Sequence, residues 1–280
     1  MSGTSKSANI SPTAHYTGYV WAHNNLGPKA MATQEGQLFY RVMQPVMAVS
    51  DAFGGPTLEG LLLARHAVID HLLHEAIAAG QVGQIVEIAA GMSPRGHQFA
   101  TRYGADLTYI EADLPGMARR KRQVLAGLPT GPQHRVVEID ALRESGPQSL
   151  TEIASDLDPD RGIAIVTEGL LGYLTPEQVA GLWRQIATVS QRFPNGLYLS
   201  DLHVAQHNKS LGVKAFSTLL GLFVRGKTYF HFDDSAEAER ALRQAGFASA
   251  SVHRARAFKD TIAAAASPGA RTVHIVEART

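Results

Sequence analysis

The strongest constraint on this chain is a rhythm. Short apolar-rich runs at 85–88, 107–110, 135–139, 163–166 and 197–199 alternate with longer segments of helical character, and a last run follows at 272–276. Strands that read as apolar runs, without apolar–polar alternation, are covered on both faces, and the helices between them supply the covers. The pattern predicts an α/β fold with a doubly wound, mostly parallel sheet. In such sheets ligands gather beyond the carboxyl ends of the strands.

The flanks fit one domain. Leu58, Leu61, Leu62, Val68, Ile69, Leu72, Leu73 and Ile77 fall at helical spacing, with Gly80 as the stop. A second helix start is written in Thr175-Pro176-Glu177-Gln178, a capping box with proline at the first helical position, followed by the stripe Val179, Leu182, Trp183 and Ile186. Residues 1–12 read as a flexible tail and 13–280 as a single domain. Within it, 13–80 is a helical cap, and Tyr16, Tyr19 and Trp21 form an ordered aromatic segment near His15 and His23. Residues 204–232 interrupt the alternation with Phe216, Leu219, Leu220, Leu222, Phe223, Tyr229 and Phe232, an insertion suited to covering a substrate.

Composition removes several function classes. A formal charge of +1 with no basic stripe argues against nucleic acid as a partner, and the run Arg119-Arg120-Lys121-Arg122 reads as a solvated helix face. With no cysteine there is no disulfide, thiolate zinc site or thiol nucleophile, which fits a cytoplasmic setting. The polar first 13 residues carry no secretory signal, and the apolar stretch at 215–224 is too short to span a bilayer. No metal is expected. Asp156, Asp158 and Asp160 mis-space a calcium loop, and of His66, His71 and His74 only the last two share a helix face.

Chemistry concentrates at the strand tips. The first tip reads Glu87-Ile88-Ala89-Ala90-Gly91-Met92-Ser93-Pro94-Arg95, a turn of small residues into a helix that Ser93 caps. A dinucleotide fingerprint would need glycines at 89, 91 and 94, where the chain has Ala89, Gly91 and Pro94. S-adenosylmethionine has no pyrophosphate to cradle and fits a looser turn headed by an acid. The second tip carries Glu111 and Asp113, placed to accept hydrogen bonds from a ribose diol. The third carries Asp140, which can accept the adenine amino group, and the fourth carries Glu168, where the methionine end of the cofactor would lie. Four acid-bearing tips in chain order are far more specific than any one.

These segments, at 86–95, 109–115 followed by Lys121, Asp140 and 168–178, resemble the leucine carboxyl methyltransferase superfamily, particularly its bacterial branch of small-molecule and polyketide O-methyltransferases. The resemblance covers residues 60–205. It implies a Rossmann-like class I methyltransferase with a seven-stranded, mostly parallel sheet, an N-terminal helical segment and a lid insertion after the fifth strand. It also implies site residues. Arg65 would contact the cofactor carboxylate, Ala89 and Gly91 would form the cofactor loop, and Asp113 with Glu111 beside it would bind ribose. Asp140 and Ala141 would face adenine, and Glu168 the methionine moiety. Ala89 stands where the family usually has glycine, and Ser93 where it often has an acid.

For the acceptor, His203 in Ser200-Asp201-Leu202-His203 is the candidate general base, with His207 behind it. Tyr16, Tyr19, Trp21 and Tyr173 are the candidate substrate contacts. The expected activity is methylation of a carboxylate or hydroxyl on a small acceptor of secondary metabolism. The alternatives are methylation of a protein C-terminal carboxylate and a cofactor-binding regulatory protein without turnover.

Overall fold

A computed structural model describes residues 12–204, 229 and 231–280. His207 and most of the expected cover at 204–232 lie outside the described residues.

Seven strands form one sheet: β1 Gln84–Ile88, β2 Thr108–Asp113, β3 His134–Glu138, β4 Ile163–Thr167, β5 Gly196–Leu202, β6 Ser249–Arg254 and β7 His274–Arg279. Their spatial order is β3-β2-β1-β4-β5-β7-β6. The first five run parallel, and β7 is antiparallel to both β5 and β6. This is the predicted Rossmann-like sheet. β1 and β4 are buried at every position, so nothing in their sequences alternates. β6 had no forecast of its own. Its sequence, Ser-Ala-Ser-Val-His-Arg, is half exposed and carries little apolar signal.

Among the described residues the α-helices are α1 Pro12–His23, α2 Gln34–Ala52, α3 Leu58–Ala78, α4 Arg95–Tyr103, α5 Pro115–Leu125, α6 Leu150–Ser155, α7 Pro176–Ser190 and α8 Ser235–Gln244. The Thr57 hydroxyl caps α3 by accepting the Gly60 amide at 3.0 Å, and Gly80 ends its last turn at φ +70°. The box on α7 closes both ways, Gln178 N to Thr175 Oγ1 at 3.3 Å and Thr175 N to Gln178 Oε1 at 2.8 Å. Neighbouring strand residues feed opposite cores. Ile85 and Tyr109 pack with α1–α3, while Val86, Ile110 and Ile165 pack with Trp183 and Ile186 of α7. Each fully buried aliphatic side chain contributes about 1.5–3 kcal/mol, so the two layers hold the strand tips in fixed register.

The basic run on α5 departs from expectation. Arg119, Arg120 and Arg122 are exposed, but Lys121 turns inward and is 1% exposed. Among the described residues no helix is long and apolar enough to cross a membrane.

Candidate cofactor site

Parallel pairing aligns the carboxyl ends of β3, β2, β1, β4 and β5. Ile88 lies beside Ala112 on one flank and Thr167 on the other, and Thr167 lies beside Ser200. The residues that follow therefore form one edge: 89–91 at its centre, Asp113 and Asp140 to one side, Glu168 and Asp201 to the other.

At the centre, the turn after β1 needs two left-handed residues, Ala89 at φ +56° and Gly91 at φ +51°. Gly91 suits this without penalty, whereas a left-handed alanine is strained by about 1–2 kcal/mol. The Gly91 amide donates to Asp113 Oδ2 at 2.7 Å, and the Leu114 amide donates to Oδ1 at 2.7 Å. Burial pushes the Asp113 carboxyl up, against the pull of those two amides. The next tip is tied on by Ile139 N donating to Asp113 O at 2.9 Å, and Asp140 turns its own Oδ1 to the Leu142 amide at 3.1 Å. Ala141, in the same turn, packs partly buried against the core.

The other flank is a buried ionic network. Arg65 reaches Glu168 Oε1 through Nε at 2.9 Å and Asp201 Oδ2 through Nη1 at 3.0 Å. Arg95, fully buried, donates through Nη2 to Glu168 Oε2 at 2.6 Å and through Nη1 to Glu87 Oε1 at 2.7 Å, and also pairs with Asp70. His66 Nδ1 lies 2.9 Å from Glu168 Oε2. Burial alone would raise the Glu168 carboxyl, but His66, Arg95 and Arg65 outweigh it and hold the group well below the usual carboxylate range. The Gly169 amide, donating to Asp201 Oδ1 at 2.6 Å, fixes the turn after β4.

Several expectations need correction. Glu87 does not reach the edge: its two oxygens are taken by Arg95 and by the Tyr109 hydroxyl at 2.8 Å, and it is 1% exposed. Glu111 lies one layer beneath Asp113, fully buried, with Lys121 Nζ at 2.5 Å and His134 Nε2 at 3.1 Å. Burial would raise its carboxyl; Lys121 and His134 instead hold it below the ordinary value. Ser93 Oγ meets the Arg95 amide only at 3.3 Å, and α4 begins at Arg95. Tyr16 and Trp21 are core residues of the helical cap, with Trp21 stacked on His66 at a centroid distance of 4.3 Å, so neither presents an open surface to a substrate. Tyr19 packs partly buried against the same core beside Tyr40.

Tyr173 remains accessible at 41% exposure, on a short turn Leu171–Tyr173 whose Gly172 carbonyl accepts the Tyr229 amide at 3.0 Å. His203 directly follows β5 with Nδ1 3.2 Å from the Thr272 carbonyl, and burial lowers its pKa, which favours the neutral ring. With Nδ1–H donated to that carbonyl, the basic lone pair lies on Nε2.

Arg95, His66, Asp70, Asp201 and Lys121 carry structural weight to which sequence reasoning assigned no site role. Arg95 sits inside the motif and Asp201 two residues before His203. His66 adjoins Arg65 but was weighed only as a metal ligand. A surplus of acids around Arg65 and Arg95 is visible only once the fold is known.

The residues at 29–187 match the leucine carboxyl methyltransferase family model. The chain belongs to the leucine carboxyl methyltransferase family. A relative in Mycolicibacterium gilvum, named "Putative S-adenosyl-L-methionine-dependent methyltransferase", is 38% identical over 118 residues, 41% of this chain and 36% of that protein. The match thus spans well under two thirds of that relative. Among solved structures, a DUF574 family protein from Streptomyces avermitilis shares 14% identity with a TM-score of 0.64 over 98% of each chain. Magnesium protoporphyrin IX methyltransferase from Synechocystis PCC 6803, solved with bound SAH, shares 14% identity with a TM-score of 0.50, covering 86% of this chain and 96% of that one. These likenesses show the class I methyltransferase fold.

Proposed function

We propose that the chain is an S-adenosylmethionine-dependent O-methyltransferase acting on a small organic acceptor of secondary metabolism. One observation carries the reading: a single sheet edge sets Gly91 against Asp113 at its centre and a guanidinium-clamped Glu168 at its flank. Family membership and the SAH seen in a fold neighbour point the same way.

The donor set fits the cofactor. Around Gly91 a Cβ would meet nothing closer than the Ala89 carbonyl at 3.9 Å, so the glycine is there for its backbone angle and leaves space above the loop. Asp113 would accept the ribose hydroxyls, and Asp140 with Ala141 would face adenine. Arg65 would take the carboxylate of the methionine end and Glu168 its ammonium group. The bound cofactor supplies a sulfonium methyl for in-line displacement by a nucleophile. The protein's part is alignment and exclusion of water. A carboxylate acceptor arrives ionised. For a hydroxyl acceptor, His203 at the end of the fifth tip is the candidate to take the proton. Tyr173, exposed beside Leu170 and Leu171, is an aromatic surface that an apolar acceptor would meet.

The test is calorimetric titration of S-adenosylmethionine into wild type and Asp113→Ala, with labelled-methyl turnover against hydroxyl and carboxyl acceptors. Loss of the two-hydroxyl contact predicts an affinity drop of roughly ten- to hundredfold in the variant. Equal affinity in the two proteins removes Asp113 from the site. Tight binding without turnover of any acceptor favours the regulatory alternative.

A further inference from the structure

His66 lies on α3 next to Arg65, 1% exposed. Its Nδ1 is 2.9 Å from Glu168 Oε2 and 2.9 Å from Arg95 Nη2, and its Nε2 is 3.5 Å from Asp70 Oδ2. The ring face is closed by Trp21 of α1, stacked at 4.3 Å with an interplanar angle of 30°. Resting on the cofactor reading above, we propose that His66 is a positioning residue. Its Nδ1 locks the Glu168 carboxylate in the plane that faces the methionine end of the cofactor, and the stacked Trp21 makes α1 part of that frame.

Glu168 has two oxygens and three side-chain partners. Arg65 Nε fixes Oε1, while Arg95 Nη2 and His66 Nδ1 converge on Oε2. The two arginines are shared: Arg65 also holds Asp201, and Arg95 also holds Glu87 and Asp70. A guanidinium divided among several acids gives a soft restraint on any one of them. With its proton on Nδ1, the His66 ring donates to Glu168 Oε2 alongside Arg95 Nη2, a donor that cannot accept from it; wedged between Trp21 and the network, with one short contact to an acid, the ring is the stiff member of the clamp. Together with Arg95 and Arg65 it overrides burial in keeping Glu168 ionised.

Isosteric replacement separates positioning from packing. The amide nitrogen of asparagine branches from the chain where Nδ1 does, and that of glutamine where Nε2 does. The experiment is titration of S-adenosylmethionine and, separately, S-adenosylhomocysteine into wild type, His66→Asn, His66→Gln and His66→Ala, with a thermal melt of each. The asparagine variant is expected to stay within about threefold of wild type, while glutamine and alanine lose about tenfold or more, the worth of one bond to a charged group. The asparagine and glutamine variants are expected to melt together. If all three variants bind alike, or if affinity simply follows melting temperature, His66 is a packing residue and the proposal is overturned. Should His66→Ala not fold, the asparagine–glutamine pair decides alone. A wild type that binds neither ligand overturns the cofactor reading and this proposal with it. A wild type that binds, with asparagine and glutamine indistinguishable, overturns only the role of His66.

Discussion

Two buried ionic clusters lie within one turn of the same loop, and they are built on opposite principles. Beneath the second strand tip, Glu111 meets Lys121 and His134 in a closed group, and Lys121 spends its remaining reach on the Ser93 carbonyl at 2.7 Å. At the fourth tip, Asp70, Glu87, Glu168 and Asp201 crowd around Arg65, Arg95 and His66. The first cluster is self-sufficient. The second has more acids than permanent cations, and Arg65 and Glu168 remain 11% and 7% exposed at the edge. A buried carboxylate by itself therefore says nothing about a ligand. An acid-rich cluster with one side reaching a strand tip is the stronger candidate, because it leaves room for a cation that the described residues do not supply.

The heaviest blow to this contrast is Arg95→Leu. It leaves Glu87 buried with no cation and takes one cation from Asp70 and from Glu168, which keeps Arg65 and His66; a buried charge that loses its partner costs about 3–5 kcal/mol. Urea unfolding should show that loss, and S-adenosylmethionine affinity should fall as well. A variant that unfolds early yet binds normally when folded would place Arg95 in the scaffold alone and shrink the open cluster to Arg65, His66 and Glu168.

Lys121→Met probes the closed cluster. Removing the cation leaves Glu111 buried beside His134 only, at a cost of roughly 3 kcal/mol, and adding Glu111→Gln should recover most of it because the pair is then discharged together. The pH dependence follows with a definite sign. Glu111 is depressed in the folded state, so its stabilisation is complete above the unfolded glutamate value of about 4.3 and fades as pH falls through the folded value. Acid titration of Glu111→Gln should therefore be flatter than wild type below that point. An unchanged acid limb would show that the triad contributes nothing to pH stability and that the contrast between clusters is one of shape only.

The two clusters also divide what was legible in the sequence from what was not. The five parallel strands, α3 and α7 were readable because buried runs and capping residues are local signals. The positions of Asp113, the last residue of β2, and Asp140, two residues past β3, were readable because strand ends are local signals. Glu87 and Glu111 were misread for the same reason: position near a tip says an acid is close to the edge, but depth along the strand and partner choice decide whether it reaches outward. Their partners, Arg95 and Lys121, stand 8 and 10 residues further on, across a turn and a helix, and no periodicity announces such a pairing. Trp21 looked like a substrate contact because aromatic density reads alike whether it lines a pocket or fills a core.

The smallest effect tests the loop shared by both clusters, where glycine and alanine stand in reversed places. On the closed side, Gly96 is required for space: an added Cβ would sit 1.9 Å from Glu111 Oε1 although the backbone is ordinary helix. On the open side, Ala89 occupies a left-handed angle that suits glycine. Ala89→Gly relieves about 1–2 kcal/mol of strain but gives back about 0.4–1 kcal/mol through a freer unfolded chain, so a net gain between zero and about 1.6 kcal/mol is expected. Gly96→Ala should destabilise by more than that gain, since overpacking against a fixed ion pair costs about 1–3 kcal/mol. The pair is read by thermal melts, with S-adenosylmethionine titration of the Ala89 variant alongside. A gain in stability with unchanged affinity means the strain is incidental to binding. A gain in stability with weaker binding means that the alanine methyl braces the turn in its working shape, and that the strained residue belongs to the open cluster's site.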